Sequence, residues 1–481
     1  MSYPRRPILQ VVSLALLALA TGGCAALHPP AKATAPLREQ APVVASGVAG
    51  DWPDAEWWRS YGDPTLDTLI TTAIGQAPGI AGADARIRAA EEEVRVAGAA
   101  LGLTVSAQAQ YVRQRLSDNG LFPPSLLGFH WYDQSDIGIA VRYQFDWWGK
   151  QRATMEGAID RSRSRGAERQ AATLALAAAV SESYFGWQAD SARIALQEQA
   201  IALQQRLLGI AEARSRAQLD TTDAALEAQR QLAAQREQLE SLRGALQLQV
   251  VNLAGILGVT ADQLPPLVAR PLPRPTAGLP ADVGTNLLAR RPDIIASRWR
   301  VEAALRDTDV QRASFYPDVS LRALVGLSSI DVGRLLRSDS RAPLFGAAID
   351  LPLFDAGLRR ARHRAAQASL DLAIAEYDDS VVNGAREAGA AAARITQAAH
   401  QRAEREQQLT AVSAISAAAT ARLAGELTHA GPVLTANLDE LAQRDALVQV
   451  DLAALLADVQ LKQALAGSTT PLPSYGNRSH E

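Results

Sequence analysis

The chain contains a tandem duplication. The stretch from Gln76 to Gly258 returns, in diverged form, from Arg290 to Gly467. Dipeptides at equivalent positions occur in the same order in both copies: Ala77-Pro78 corresponds to Arg291-Pro292, Trp148-Gly149 to Ala356-Gly357, and Leu257-Gly258 to Leu465-Ala466. Each copy has a helical segment, two short alternating segments around a loop, and then a very long helical tract. The duplication predicts a single architecture built twice rather than several independent domains.

The charge balance excludes one broad class of function. Of 481 residues, 48 are Lys or Arg and 51 are Asp or Glu, which gives a formal net charge of −3. A nucleic-acid-binding surface would need a clustered surplus of Lys and Arg on one face. The sequence therefore predicts no nucleic-acid partner.

The amino terminus has the layout of a secretory signal. Arg5 and Arg6 precede an apolar run from Ile8 to Ala20, and small residues follow up to Cys24, the only cysteine. Such a run is too short for a transmembrane helix. Cys24 resembles the acylated first residue of a bacterial lipoprotein, which implies a diacylglycerol and an N-acyl chain such as palmitate on it. The alternative is an ordinary cleaved signal with an incidental cysteine.

Four short segments alternate apolar and polar residues with the period of a β-strand. We predict strands at about 103–112, 136–147, 318–328 and 344–353. Arg142, Arg322 and Asp350 fall on the polar face of this pattern and are the candidate lumen residues of a membrane barrel. Four strands cannot close a barrel, so copies of the chain would have to share one. The alternative is a soluble sandwich edge with an ordinary core.

Proline-free tracts follow the strands in both copies. They run from Gly149 to Leu264, from Leu353 to Gly431 and from Val433 to Thr470, and they are rich in Ala, Gln, Leu, Glu and Arg. They predict helical hairpins at about 150–258 and 357–466. If the first helix continues to Ala217, it is roughly 100 Å long. In the second copy an apolar seam steps by three and four residues, as in a coiled coil, and is interrupted by Asp445.

Each tract needs one reversal. In the first, Asp220 and Thr222 offer N-capping side chains; in the second, the best position is His429 to Pro432, where Gly is followed by Pro.

Several motifs occur in a fixed order along the chain: Trp57 to Leu66, Phe145 to Gly149, Ala289-Arg290-Arg291-Pro292-Asp293-Ile294, Ala313 to Leu321, and Pro352 to Gly357. Together they resemble TolC-like outer membrane factors, and the lipoprotein signal resembles that of their OprM-like branch. The resemblance covers about Asp51 to Gly467. It implies a mainly α fold, in which antiparallel coiled-coil helices form a tunnel and each chain of a homotrimer adds four strands to a shared twelve-strand barrel. It further implies a passive export duct in the outer membrane, coupled through a periplasmic adaptor protein to an inner-membrane pump.

The resemblance also places candidate sites at the periplasmic tips. The adaptor-contact candidates are Leu219, Asp220, Thr221, Thr222 and Asp223, and the gate candidates are Pro432, Leu434, Thr435, Asp439 and Glu440. Pro432 and Thr435 stand where the family often has gate aspartates. Asp439 and Glu440, one turn further on, either supply that charge or form ordinary surface pairs with Arg444.

The predicted organisation is a signal peptide at 1–23, an acylated tether at 24–50, a first repeat at 51–264, a linker at 265–285, a second repeat at 286–467 and a tail at 468–481. The six histidines are scattered, and no phosphate-binding, dinucleotide, metalloprotease or nucleophile-elbow motif occurs. We therefore expect no enzyme, no metal and no cofactor beyond the lipid. The main competing hypothesis is an outer-membrane-anchored coiled-coil scaffold lipoprotein without a channel.

Overall fold

The computed structural model describes residues 36–42, 49–276 and 278–466. Its helices are α1 (Pro64–Gln76), α2 (Pro78–Ala99), α3 (Pro124–Leu127), α4 (Lys150–Arg216), α5 (Thr222–Leu257), α6 (Val283–Arg290), α7 (Pro292–Ala313), α8 (Leu358–Ala424) and α9 (Ala430–Leu465). Its strands are β1 (Thr104–Arg115), β2 (Trp131–Phe145), β3 (Asp318–Ser329) and β4 (Leu344–Asp350). Cys24 and the predicted signal lie outside the described residues.

Four pairs of corresponding elements in the two copies have equal lengths, whereas β2 with 15 residues is longer than β4 with 7. Helices α2 and α7 each have 22 residues, and strands β1 and β3 each have 12. The long helices α4 and α8 each have 67 residues, and α5 and α9 each have 36. The predicted fold class, mainly α with a duplicated plan and four strands, is confirmed.

The strands form one antiparallel sheet in the order β1-β2-β3-β4. Strand β4 ends at Asp350 and β2 begins at Trp131, so both bounds differ from the sequence expectation by a few residues. The β2 difference has a simple cause: residues 131–135 pair with the end of β1, although their sequence does not alternate cleanly.

Both hairpin turns differ in detail from the sequence expectation. The N-cap of α5 is Thr221, whose side chain makes no capping bond, instead of Asp220 or Thr222. In the second copy the reversal falls at residues 425–429, about one turn before the predicted Gly-Pro step. Pro432 lies in the first turn of α9, where the missing N–H has no helical acceptor to lose, so it does not end the helix.

The chain folds into two compact units. Of the described residues, the first unit holds 36, 87–164 and 298–376, and therefore contains the whole sheet. The second holds 37–42, 49–86, 165–276, 278–297 and 377–466. Its core surrounds α1, whose Leu66, Leu69 and Ile70 are fully buried against Tyr184 and Phe185 of α4.

No helix within 36–42, 49–276 and 278–466 has an apolar stretch long enough to cross a membrane.

Candidate functional site

The sheet has one apolar and one polar face. The register places Val105 opposite Val141, Ile139 opposite Val325, and Ala323 opposite Phe345, so this face is apolar over most of its length. Toward the β1–β2 loop the same face carries the polar side chains of Arg113, Arg115, Asp133 and Ser135. Many of these side chains are exposed on the chain, including Val105, Ile139, Val325 and Phe345. An exposed apolar face of this extent needs a cover, such as lipid or another protein.

The polar face carries the three lumen candidates. Arg142 and Arg322 are directly opposite each other on β2 and β3, and Asp350 is opposite Asp318 at the other end of the β3–β4 pair. The structure thus brings the two arginines together and leaves Asp350 apart from them. Their exposure to a lumen stays a prediction.

Two glycines meet on the same face. Gly138 is opposite Gly326, and a Cβ added at Gly326 would lie 2.8 Å from the Cα of Gly138 and closer still to the carbonyl oxygen of Ile137. Only glycine allows the backbones of β2 and β3 to approach so closely. The sequence pattern gave no signal for this pair, because it depends on the register.

The first hairpin turn exposes all five adaptor-contact candidates. Helix α4 ends at Arg216, Gln218 follows with a φ of 57°, and the amide of Leu219 donates to the carbonyl oxygen of Arg214 at 2.9 Å. This is a left-handed helix ending of the kind in which glycine is most common. Asp220 pairs with Arg214 at 2.5 Å, and this hydrogen bond lowers the pKa of the Asp220 carboxyl. Leu219 is left 67% exposed at the tip.

The second hairpin turn repeats the first in atomic detail. Glu426 has a φ of 60°, and the amide of Leu427 donates to the carbonyl oxygen of Arg422 at 2.9 Å. Leu427 is 80% exposed. This Glu-Leu pair was not among the sequence candidates, although the 208-residue offset from Gly149 to Gly357 carries Gln218-Leu219 onto it. His429 caps the following helix: its Nδ1 accepts from the amide of Gly431 at 3.1 Å.

The gate candidates do not share one environment. Pro432, Thr435 and Asp439 are exposed along one stripe of α9, whereas Leu434 is buried. Glu440 accepts a hydrogen bond from Arg444 at 2.6 Å, one turn along the helix. The contact with Arg444 that the sequence predicted is therefore present at Glu440, while a gate role for these residues stays a prediction. Asp439 has no salt bridge or side-chain hydrogen bond to any described residue, so it is the free carboxylate of the set.

A buried polar network ties three segments of the second unit together. Asp458 and Lys462 of α9 are 0% and 4% exposed, and their charged atoms are 3.0 Å apart. Tyr61 donates to Asp458 at 2.6 Å, and Lys462 donates to Thr276 at 2.9 Å. Burial lowers the pKa of Lys462 against the opposing attraction of Asp458, and burial together with Asp458 raises the pKa of Tyr61. The network is structural, because each charge is already compensated.

The family-like motifs also have structural roles. Asp63 caps α1 by accepting from the amide of Thr65 at 2.9 Å, and Tyr184 donates to its second oxygen at 2.7 Å. Burial and that bond raise the pKa of Tyr184 to about 12. Arg291, mostly buried, binds Asp293 at 2.6 Å and Glu387 at 2.8 Å, which fastens the start of α7 to α8.

Phe315, in the motif from Ala313 to Leu321, packs against the buried side chain of His363 in the first unit. Phe315 packs edge-on against His363, with ring centroids 6.1 Å apart, and His363 is only 2% exposed. Its Nδ1 has no hydrogen-bond partner among the described residues. Burial and the nearby Arg312 lower the pKa of His363. Within the described ranges, no group of three or more His, Cys, Asp or Glu side chains is arranged to hold a metal ion.

A two-faced sheet joined to duplicated long helical hairpins is the architecture of a TolC-like export channel of the outer membrane. The chain belongs to the outer membrane efflux protein family, whose model matches residues 69–259 and 283–467. That family is one of channels, not of enzymes, and the resemblance seen in the sequence is confirmed.

Known relatives and solved structures agree with this assignment. The chain is 29% identical over 433 residues to the multidrug resistance outer membrane protein MdtP of Escherichia coli O6:H1, covering 89% of each chain. Among solved structures, the outer membrane protein VceC of Vibrio cholerae matches with a TM-score of 0.78 and 28% identity, over 87% of this chain and 100% of VceC. The outer-membrane channel OprN matches in fold, with a TM-score of 0.82 and 24% identity over 92% of this chain and 100% of OprN.

Proposed function

We propose that three copies of the chain form a passive export duct across the outer membrane, fed through a periplasmic adaptor by an inner-membrane pump. The observation that carries this proposal is the sheet, whose one face is apolar over most of its length and whose outer strands have no neighbour on one side within the described residues.

Strands β1 and β4 are the edges of the sheet within the described chain. An apolar face suits lipid, but unpaired edge N–H and C=O groups are not tolerated in hydrocarbon. Pairing of β4 with β1 of the next copy satisfies both edges, and repetition around a threefold axis closes the barrel. The polar face then lines the lumen.

The hairpin tips support an adaptor partner. The two helices of each hairpin are joined by the same left-handed turn, which exposes one leucine, Leu219 or Leu427. An exposed leucine at a turn presents apolar surface that a partner's apolar groove would cover. The duct itself needs no energy source, because the sequence has no nucleotide-binding motif and the partner pump would supply the work.

Two further points complete the proposal. Acylation of Cys24, with diacylglycerol and an N-acyl chain, would anchor the amino terminus in the outer membrane alongside the barrel. The name of the relative MdtP refers to multidrug resistance, which supports small molecules as the cargo of this chain.

Site-specific photocrosslinking in cells tests the coupling to a pump. A photoreactive residue at Leu219 or Leu427 should capture a periplasmic adaptor. The matched control is Leu248, which is 63% exposed on α5 but lies away from both tips. Equal capture at Leu248, or no capture at either tip while the protein is present in the outer membrane, would count against adaptor docking.

The scaffold alternative predicts a different assembly. A coiled-coil scaffold has no use for a closed barrel, so it would give neither a heat-modifiable trimer on gels nor ion conductance in bilayers. The channel proposal expects both.

A further inference from the structure

Two arginines face each other across neighbouring strands. Arg142 of β2 is the direct cross-strand partner of Arg322 of β3, on the polar face of the sheet. Like charges directly opposite each other destabilise a strand pair. The arrangement therefore costs stability that a neutral pair at these positions would not.

No carboxylate compensates this pair. Neither guanidinium has a salt bridge or side-chain hydrogen bond to any residue in the described part of the chain, and both side chains are exposed. The nearest acidic positions on the same face of β3 and β2 are Asp318, four residues from Arg322, and Asp136, six residues from Arg142. At the rise of a strand these are roughly 13 and 20 Å away, beyond a Debye length of about 8 Å at physiological salt.

Asp318 is itself neutralised by Lys150, whose Nζ lies 3.4 Å from its carboxylate. Its cross-strand partner Asp350 lies no closer to the arginines along the sheet. The pair thus forms a local basic band between two weakly acidic ends.

Besides the two arginines, their cross-strand row holds only Thr104 on β1 and Gly346 on β4. The next row on one side holds Gln144 and Ser320, and the next row on the other side holds Ala140, Leu324 and Leu344. A Cβ added at Gly346 would meet nothing within 4 Å. The guanidinium groups are therefore open to a solute, and their planar donors match the oxygens of a carboxylate, sulfonate or phosphate.

We propose that Arg142 and Arg322 form an anion-binding band in the wall of the duct, which favours the passage of organic anions bearing such groups. This inference rests on the proposed function, because only the assembled barrel turns the polar face toward a lumen. Rings of arginine are a known physical means of anion selection in pores. In a wide barrel the effect is a preference, not exclusion, because solutes away from the wall are screened.

The test measures the reversal potential of the current through channels formed by the full-length protein in planar bilayers. Under a potassium chloride gradient, this potential reports the chloride-to-potassium permeability ratio. The wild type should prefer chloride, and Arg142→Gln with Arg322→Gln should lower the chloride-to-potassium permeability ratio by about two-fold or more. Arg142→Lys with Arg322→Lys should keep the preference for chloride. The matched control is Arg113→Gln, because Arg113 lies on the opposite face of the same sheet, 3.8 Å from Asp133.

A second measurement needs no variant. Citrate added to the wild-type channel at low ionic strength should reduce the chloride current, and added salt should relieve the block. A wild-type channel that prefers potassium, or a double glutamine variant with unchanged selectivity, would overturn the anion band while leaving the duct intact. Absence of any conductance would overturn the duct and this inference together.

Discussion

Arg193 of the first hairpin and Asp445 of the second form an ion pair, with Nε and Oδ1 2.7 Å apart and both side chains mostly buried. Asp445 is the residue that interrupts the apolar seam of α9. The interruption is thus a specific connection between the two repeats, and Gln449 donates a further hydrogen bond to the same carboxylate at 2.6 Å.

This pair should couple the stabilities of the two hairpins. Asp445→Asn and Arg193→Gln should each destabilise the protein, and a double-mutant cycle should give an interaction energy of about 1–3 kcal/mol. The measurement is the free energy of unfolding in denaturant for the four proteins. Additive effects would show that the two residues are neighbours without energetic coupling.

The buried pair of Asp458 and Lys462 should be far more sensitive than a surface pair. Asp458→Asn leaves a buried ammonium group without its counter-charge and should cost about 3–5 kcal/mol in the free energy of unfolding. Replacing both residues, by Asp458→Leu and Lys462→Met, should recover part of that loss.

The control for this prediction is Glu227→Gln on α5. Glu227 pairs with Arg230 at 2.6 Å, but both side chains are more than half exposed, so its loss should cost less than about 1 kcal/mol. Equal losses for Asp458→Asn and Glu227→Gln would contradict a role for burial.

Gly326 should be intolerant of even one methyl group. In Gly326→Ala the new Cβ would clash with backbone atoms of β2, which cannot rotate away as a side chain would, so the β2–β3 pairing must shift. We expect a large loss of heat-modifiable trimer from outer-membrane fractions. Gly346→Ala, which meets nothing within 4 Å on β4, should assemble as the wild type does.

Burial of His363 should make stability depend on pH. Its pKa is lowered in the folded protein, so the unfolded chain, with a pKa of about 6.5, binds the proton more readily. This contribution to stability is therefore present above about pH 6.5 and is lost as the pH falls through that value. Unfolding midpoints measured from about pH 7 to pH 5 should fall in the wild type.

Two variants isolate that effect. His363→Gln should flatten the pH dependence in this window, whereas His400→Gln, at an exposed position on α8, should leave it unchanged. An unaltered slope in His363→Gln would assign the pH dependence to other groups.

The sequence predicted the fold because its main signals are periodic and local. Freedom from proline and the repeated offset are enough to indicate two long hairpins, and alternation is enough to indicate four strands. Leu427 could also have been found, by carrying Leu219 forward by 208 residues.

Other features depend on which residues pair across strands or between helices, and a single sequence does not reveal those pairings. The meeting of Arg142 with Arg322, and of Gly138 with Gly326, requires the register of β2 on β3, which no single strand encodes. The partner of Asp445 lies 252 residues away, so its role could not be read from α9 alone.

The two open edges of the sheet also have a genetic consequence. In the proposed trimer, a chain with a defective β4 edge would still offer an intact β1 to its neighbours, enter the ring and leave it unclosed. With equal amounts of normal and defective chains mixing at random, only about one ring in eight would contain normal chains alone. Edge mutations should therefore be dominant, whereas mutations that unfold the whole chain before assembly should be recessive.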